Sequence, residues 1–143
     1  MYAVVVGGGR VGRTIARWLL TAEHEVAVVD RSPTACSIVE DELGSISVLG
    51  DATEAGVLAK VGANRADVLI AATRADDVNL VACQMAMHKF DVSRTISIVN
   101  EPENETLFRT LGIGAVVNIT DLAVAGIQEN LSDLLVERFE DTR

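Results

Sequence analysis

The sequence predicts an α/β fold, a doubly wound parallel sheet of six strands in the order 3-2-1-4-5-6. Three observations predict it. Short runs of β-formers alternate with helical patterns six times along 143 residues, the pattern of strands joined by crossover helices. The fourth strand, Val68–Ala72, is apolar throughout, so it is expected to be central and covered on both faces. Aromatic residues are only 3% of the chain against 49% hydrophobic residues. The core is therefore Val, Ile, Leu and Ala, which suits packed parallel strands. The strand order follows from short, right-handed connections.

The first strand, Tyr2–Val6, breaks into Gly7-Gly8-Gly9-Arg10-Val11-Gly12, which contains G-x-G-x-x-G at positions 7, 9 and 12. A helical pattern follows, with Val11, Ile15, Trp18 and Leu19 on one face. A second strand, Glu25–Val29, ends on Asp30, 18 residues beyond Gly12. Strand, glycine turn, helix, strand and acid stand in the order of a Rossmann-like dinucleotide fingerprint. Gly7 permits the turn, Gly9 lets the backbone approach a pyrophosphate, and Gly12 lets the helix pack close. The helix N-terminus offers free N–H groups to phosphates. Asp30 can accept hydrogen bonds from ribose hydroxyls.

Ser32-Pro33 then opens a helix, as N-cap and first helical residue, and Gly44 closes it. Ile46–Leu49 is the third strand. Gly50-Asp51-Ala52-Thr53-Glu54 leads to a short helix ending near Gly62, with Asp51 and Glu54 at capping-box spacing. After the fourth strand, Thr73-Arg74-Ala75-Asp76-Asp77 starts a long helix to about Lys89, with Asp76 or Asp77 as its cap. Asn79 pins that loop. Thr95–Val99 is the fifth strand, and Pro102 opens a helix closing at Leu111-Gly112. Ala115–Asn118 is the sixth strand. Thr120-Asp121 caps a last helix to about Arg138.

Net charge is −9, with two lysines and ten arginines, which argues against a nucleic-acid surface. Arginines interrupt the N-terminal apolar pattern, so no leader is expected. No apolar run nears the roughly 18 residues that span a bilayer, so direct membrane insertion is not expected. Cys36 and Cys83 read as buried thiols, and His24 and His88 as surface histidines. No metal site is expected.

Taken together, Val5–Arg13, Val29-Asp30, Gly50-Asp51-Ala52-Thr53 and Ala71-Ala72-Thr73 followed by Asp76-Asp77-Val78-Asn79-Leu80 resemble the TrkA N-terminal domain. This is the nucleotide-binding part of RCK domains, regulators of potassium conductance. The resemblance runs from about Tyr2 to Ile119. It implies a cytoplasmic regulator of a potassium transporter or channel, peripheral to the membrane through that partner. It implies binding of NAD(H) or of ATP, ADP or AMP, and pairing as a homodimer or higher assembly.

Carried onto this sequence, the resemblance assigns Gly7, Gly9, Arg10, Val11 and Gly12 to the phosphates. It assigns Asp30, flanked by Arg31, to the adenosine ribose. Asp51 and Ala52 would border the adenine, and Thr73 would line the floor near the phosphates or second sugar. No catalytic residue is implied. Residues 1–119 form the nucleotide unit and 120–143 a crossover helix and tail. Val124, Ile127, Leu131, Leu134 and Leu135 make an apolar stripe on that helix, for its own sheet or for a partner; the family places it on a partner.

The smaller C-terminal domain common in the family is not expected here, so the chain reads as a one-domain subunit or the N-terminal piece of something longer. The fifth strand, Ile96-Ser97-Ile98-Val99-Asn100, lacks the glutamates of calcium-gated relatives. Two other functions compete. A small NAD-dependent oxidoreductase would need a proton donor near the nicotinamide, yet Tyr2 lies in strand one and no Tyr-x-x-x-Lys pair exists. A sensor domain detached from a larger fused protein is the other.

Overall fold

The computed structural model describes residues 1–141, with side chains described as far as Leu134. Strand β1 spans Tyr2–Val6, helix α1 Arg10–Thr21 and strand β2 Glu25–Asp30. Helix α2 spans Pro33–Leu43, β3 Ser47–Leu49 and α3 Ala55–Lys60. A 3-10 turn at Ala63–Arg65 leads into β4, Val68–Ala71, and α4, Asp76–His88. Strand β5 spans Arg94–Val99, and a second 3-10 turn, Pro102–Asn104, runs into α5, Glu105–Thr110. Strand β6, Ala115–Asn118, passes directly into α6, Ile119–Asp141.

The strands form one parallel sheet in the order β3-β2-β1-β4-β5-β6, as the sequence predicts. All of β1 is buried, and its alternating side chains feed two cores. Val4 and Val6 meet Leu69, Ala82, Cys83, Ala86 and Phe108 on the face covered by α4 and α5. Ala3 and Val5 meet Ala16, Leu19, Val28 and Val39 on the face covered by α1 and α2. Ser32 caps α2 by accepting from the Ala35 N–H at 3.2 Å. Gly44, at φ +92°, lets the chain leave that helix.

The buried face of α1 is only in part the one the apolar pattern suggests: Leu19 is buried and Ile15 packs on the same core. Gly12, Ala16 and Leu19 face the sheet, whereas Val11 and Trp18 are exposed, Trp18 by 67%. A helix pressed this close to the sheet sets its small residues, Gly12 and Ala16, directly on it. Val11 and Trp18, each one position before a buried residue, are rotated about 100° away.

The last helix also departs from expectation. Its cap is Asn118, whose Oδ1 accepts from the Asp121 N–H at 3.1 Å, not Thr120-Asp121. It runs to Asp141, past Arg138. Its principal contacts with the sheet are with β5 and β6. Val124, Ile127, Leu131 and Leu134 are exposed, so the stripe does not pack on its own sheet; Leu122, also exposed, lies on the opposite side of the helix. The Leu135 side chain, which completes the expected stripe, lies outside the described residues.

Candidate functional site

Parallel pairing fixes where the loops emerge. Val6 pairs with Val29 on one side and Ala71 on the other, and Asp30 pairs with Leu49. The segments after β1, β2, β3 and β4 therefore leave the sheet together at its carboxyl edge, where the strand order switches. The segments after β2, β3 and β4 enclose a cleft of about 200 Å³. Val6, Val29, Ala52 and Val78 give it an apolar floor, and Asp30, Arg31, Asp51, Thr73 and Arg74 a polar rim. Asp30, Arg31, Asp51, Ala52 and Thr73 are thus brought together as the sequence suggests. Arg74 joins them unforeseen.

The glycine loop stands beside the cleft. Gly7 adopts φ +112°, and a Cβ there would sit 2.9 Å from the Ala72 carbonyl oxygen. Its N–H donates to the Val29 carbonyl at 2.8 Å. Gly12 lies so near the turn that a Cβ would fall 1.8 Å from the Gly7 carbonyl oxygen. Gly9 differs: a Cβ would meet nothing within 4 Å, so its face is open. Helix α1 has no side-chain cap. Among the described residues, the N–H groups of Gly9, Arg10, Val11 and Gly12 have no protein acceptor. This is an uncapped helix start behind an open glycine, a ready anion site. These features fit a phosphate-bearing ligand.

Asp30 is fixed by the backbone on both sides. Its Oδ2 accepts from the Gly8 N–H at 2.7 Å and its Oδ1 from the Ser32 N–H at 2.8 Å. Each oxygen keeps a further lone pair, so the carboxylate can still accept from a diol. A residue the sequence did not flag fixes the loop from the other side. Arg13 Nη1 donates to the Gly8 carbonyl at 3.0 Å, and its Nε to Glu42 at 3.2 Å. Arg17 shares Glu42 at 2.8 Å. Exposed ion pairs of this kind add little stability; their effect here is to orient the loop.

Asp51 makes no capping box with Glu54. Its Oδ1 accepts from the Thr53 hydroxyl at 2.7 Å and the Thr53 N–H at 2.9 Å. Glu54 is the α3 N-cap and makes no side-chain cap bond. The Asx turn is the better local solution because both Thr53 donors reach one oxygen. Those bonds, the hydroxyl first, hold the Asp51 carboxyl below its ordinary range, and the Arg31 charge adds a smaller effect.

Thr73 reaches the cleft wall, but its hydroxyl is engaged internally. Oγ1 lies 2.6 Å from Asn79 Oδ1 and 3.1 Å from the Ala75 carbonyl, and accepts from the Ala75 N–H at 3.2 Å. Asn79, fully buried, pins this loop as expected: it also accepts from the Thr73 N–H and donates to the Thr73 and Ile98 carbonyls. Asp76 is not the α4 cap; that position is Ala75. Its carboxylate turns to the segment after β5, where it accepts from Asn100, Glu101 and Asn104.

Arg10 and Val11 are exposed at the helix start, outside the cleft lining. Among the described residues, Arg10, Arg31 and Arg74 have no carboxylate within 4.0 Å. Arg31 and Arg74 thus stand on the cleft rim, and Arg10 at the helix start, without a direct ion pair among the described residues. Tyr2 lies at the opposite edge of the sheet, where its hydroxyl donates to the Val61 carbonyl.

The TrkA-N domain profile matches residues 3–119. The chain belongs to the TrkA-N family. A Trk system potassium uptake protein TrkA homolog of Methanothermobacter thermautotrophicus is 33% identical over 131 residues, covering 92% of this chain and 60% of that protein. The GsuK RCK domain is 26% identical with a TM-score of 0.78, over 96% of this TrkA-N chain and 29% of its own. The GsuK channel bound to NAD is 27% identical with a TM-score of 0.75, over 85% of this chain and 22% of its own. The chain thus spans 60% of the potassium-uptake relative and under a third of the GsuK chains. Its six-stranded Rossmann-like sheet has the fold of the GsuK RCK domain.

Proposed function

We propose that this chain is the nucleotide-binding regulatory part of a potassium transporter or channel system, acting on the cytoplasmic side through a membrane partner. Its ligand is NAD(H) or an adenine nucleotide, ATP, ADP or AMP. The observation that carries this reading is the open Gly9 face backed by four N–H groups without acceptors, next to an Asp30 carboxylate held in place. Phosphates sit against Gly7, Gly9, Arg10, Val11 and Gly12. The ribose diol meets Asp30, with Arg31 beside it, and the adenine lies in the cleft against Asp51 and Ala52. Thr73 shapes the wall through its backbone, since its hydroxyl is spent. The potassium-uptake relative and the NAD-bound GsuK channel support the ligand class and the partner class. Residues 1–119 form the nucleotide unit, and 120–143 the crossover helix and tail.

We read the protein as a homodimer. The exposed stripe from Val124 to Leu134 on α6 supports this, because a helix with that apolar face away from its own sheet gains by burial in a second copy. Signal rather than chemistry is the output. The cleft rim offers carboxylates and arginines, and Lys60 and Lys89 are exposed at helix ends. The single tyrosine is at the far edge of the sheet. Among the described residues no helix is long and apolar enough to cross a membrane.

Calorimetry with NADH, NADPH, ATP, ADP and AMP tests the reading. The unphosphorylated-ribose ligands bind, and NADPH binds worse, because a 2′-phosphate meets the Asp30 charge. Asp30→Ala weakens the first group most. Equal binding of NADH and NADPH would overturn the ribose assignment, and no binding of any nucleotide would overturn the function.

A further inference from the structure

The cleft wall and the root of α6 are joined by one residue. The Thr73 carbonyl accepts two side-chain amides, from Asn79 and from Asn100, each at 3.0 Å. Asn79 is anchored in the core: it is fully buried and donates to the Ile98 carbonyl at 3.3 Å. Asn100 sits outside the core, just beyond β5, and all its donors are used. Its side-chain amide also donates to Asp76 Oδ1 at 2.8 Å, as does its backbone N–H at 2.8 Å. Its own carbonyl accepts from the Thr120 hydroxyl at 3.0 Å. Thr120 is in the first turn of α6, whose start is set by the Asn118 cap. Asp76 clamps the segment further through the Glu101 N–H at 3.0 Å and Asn104 Nδ2 at 2.9 Å.

We propose that Asn100 is the joint through which occupancy of the cleft is passed to α6. The inference rests on the nucleotide-binding reading above and adds the route by which binding reaches the exposed helix. Thr73, Arg74 and Ala75 line the cleft, so a ligand that shifts this wall moves the Thr73 carbonyl. Asn79 resists the shift, because its other partner is a core carbonyl. Asn100 passes it on, because its bonds lead outward: its carbonyl holds Thr120 at the root of α6, while Asp76 ties Asn100, Glu101 and Asn104 into one unit. A displacement of Asn100 therefore changes the angle at which α6 leaves the sheet. A ligand can bias this arrangement only by binding its two states unequally, and the rim loop is where unequal contact is made. A contiguous chain of bonds is a physical route, and coupling along it is an energy to be measured.

The test is hydrogen exchange of residues 119–134 in the full chain, with and without ADP and with and without NADH. Thr120→Val removes the hydroxyl at an exposed position and keeps the side-chain shape. Asn100→Ala removes the joint itself. In the wild type, at least one of the two ligands changes exchange in the first turns of α6. Thr120→Val binds the same ligand within about twofold and loses more than half of that response. Asn100→Ala loses it too. Calorimetry on each sample separates the two levels of the claim. Absence of nucleotide binding in the wild type overturns the function and the joint with it. Binding without any α6 response overturns the joint alone, as does a full response in Thr120→Val.

Discussion

Gly9→Ala and Gly12→Ala are the same chemical change three positions apart, and the structure predicts opposite consequences. At Gly12 the new methyl would lie 1.8 Å from the Gly7 carbonyl oxygen, about 1.6 Å inside the 3.4 Å of ordinary contact. The nearest atoms are backbone, so no rotamer change relieves the clash. Helix α1 must lift away, and Ala16 and Leu19 lose part of their packing on the sheet. Overpacking of this kind costs about 1–3 kcal/mol, occasionally more. Replacing glycine by alanine inside a helix recovers at most about 1 kcal/mol. The overlap here is large, so a net loss of about 2 kcal/mol is expected, or about 4–8 °C in Tm for a chain of this size. At Gly9 the methyl meets nothing within 4 Å, and the residue is at extended φ −77°, ψ −168°, open to any side chain. Gly9→Ala should leave stability within about 0.5 kcal/mol. Its methyl instead occupies the face offered to the phosphates, so ADP and NADH affinity should fall by about tenfold or more. Urea denaturation paired with calorimetry measures both quantities on each variant. A Gly12→Ala protein as stable as wild type, or a Gly9→Ala protein that binds ADP normally, would refute the reasoning.

Three further outcomes follow from the geometry. Arg10→Ala should leave adenosine binding unchanged and weaken ADP and ATP by about tenfold, the worth of one charge-assisted bond, and the difference between ATP and ADP should vanish; calorimetry with adenosine as the control reads this. Leu131→Asp should convert the proposed homodimer to monomer in light scattering. Removing one buried leucine from each copy costs about 3–6 kcal/mol, on the order of a hundred- to ten-thousand-fold in the dimer dissociation constant, and a wild type that is already monomeric at millimolar concentration sinks the dimer. For Asp76, burial alone would raise the carboxyl, but the donors of Asn100, Asn104 and Glu101 outweigh it and hold it below its ordinary value. A depressed folded-state pKa means the clamp is fully formed above about pH 4 and is lost as pH falls through the lower, folded value. Exchange protection of the Asn100 and Glu101 amides, corrected for intrinsic rates, should stay flat down to about pH 4; loss beginning near pH 6 contradicts the assignment.

The sheet order and the position of the cleft were legible because each rests on local pattern. Apolar runs, glycine turns and the Asp30 spacing are properties of neighbouring residues. The errors share a different cause. Val11 and Trp18 follow helical periodicity yet face solvent, because the approach of α1 to the sheet is set by Gly12 against Gly7, a contact that apolar counting does not register. Asp51 and Asp76 both have cap spacing, and both are drawn elsewhere by donors that lie nearer in space. Arg13, Arg74 and Asn100 were unmarked because their roles depend on partners distant along the chain or on the far rim of the cleft. Glu42 is 29 residues from Arg13, and Thr73 is 27 from Asn100. Spacing rules carry no information at those separations.

The manner in which α6 leaves the sheet sets a mechanical ratio. The helix is held at its root by Asn118, Thr120 and the ends of β5 and β6, and its 23 residues extend about 34 Å at 1.5 Å per residue. A tilt of ten degrees at the root sweeps its far end through about 6 Å. Such a lever trades force for travel. Sub-ångström adjustments at the Thr73 carbonyl can become displacements as wide as a helical turn at the far end, provided the shaft stays straight.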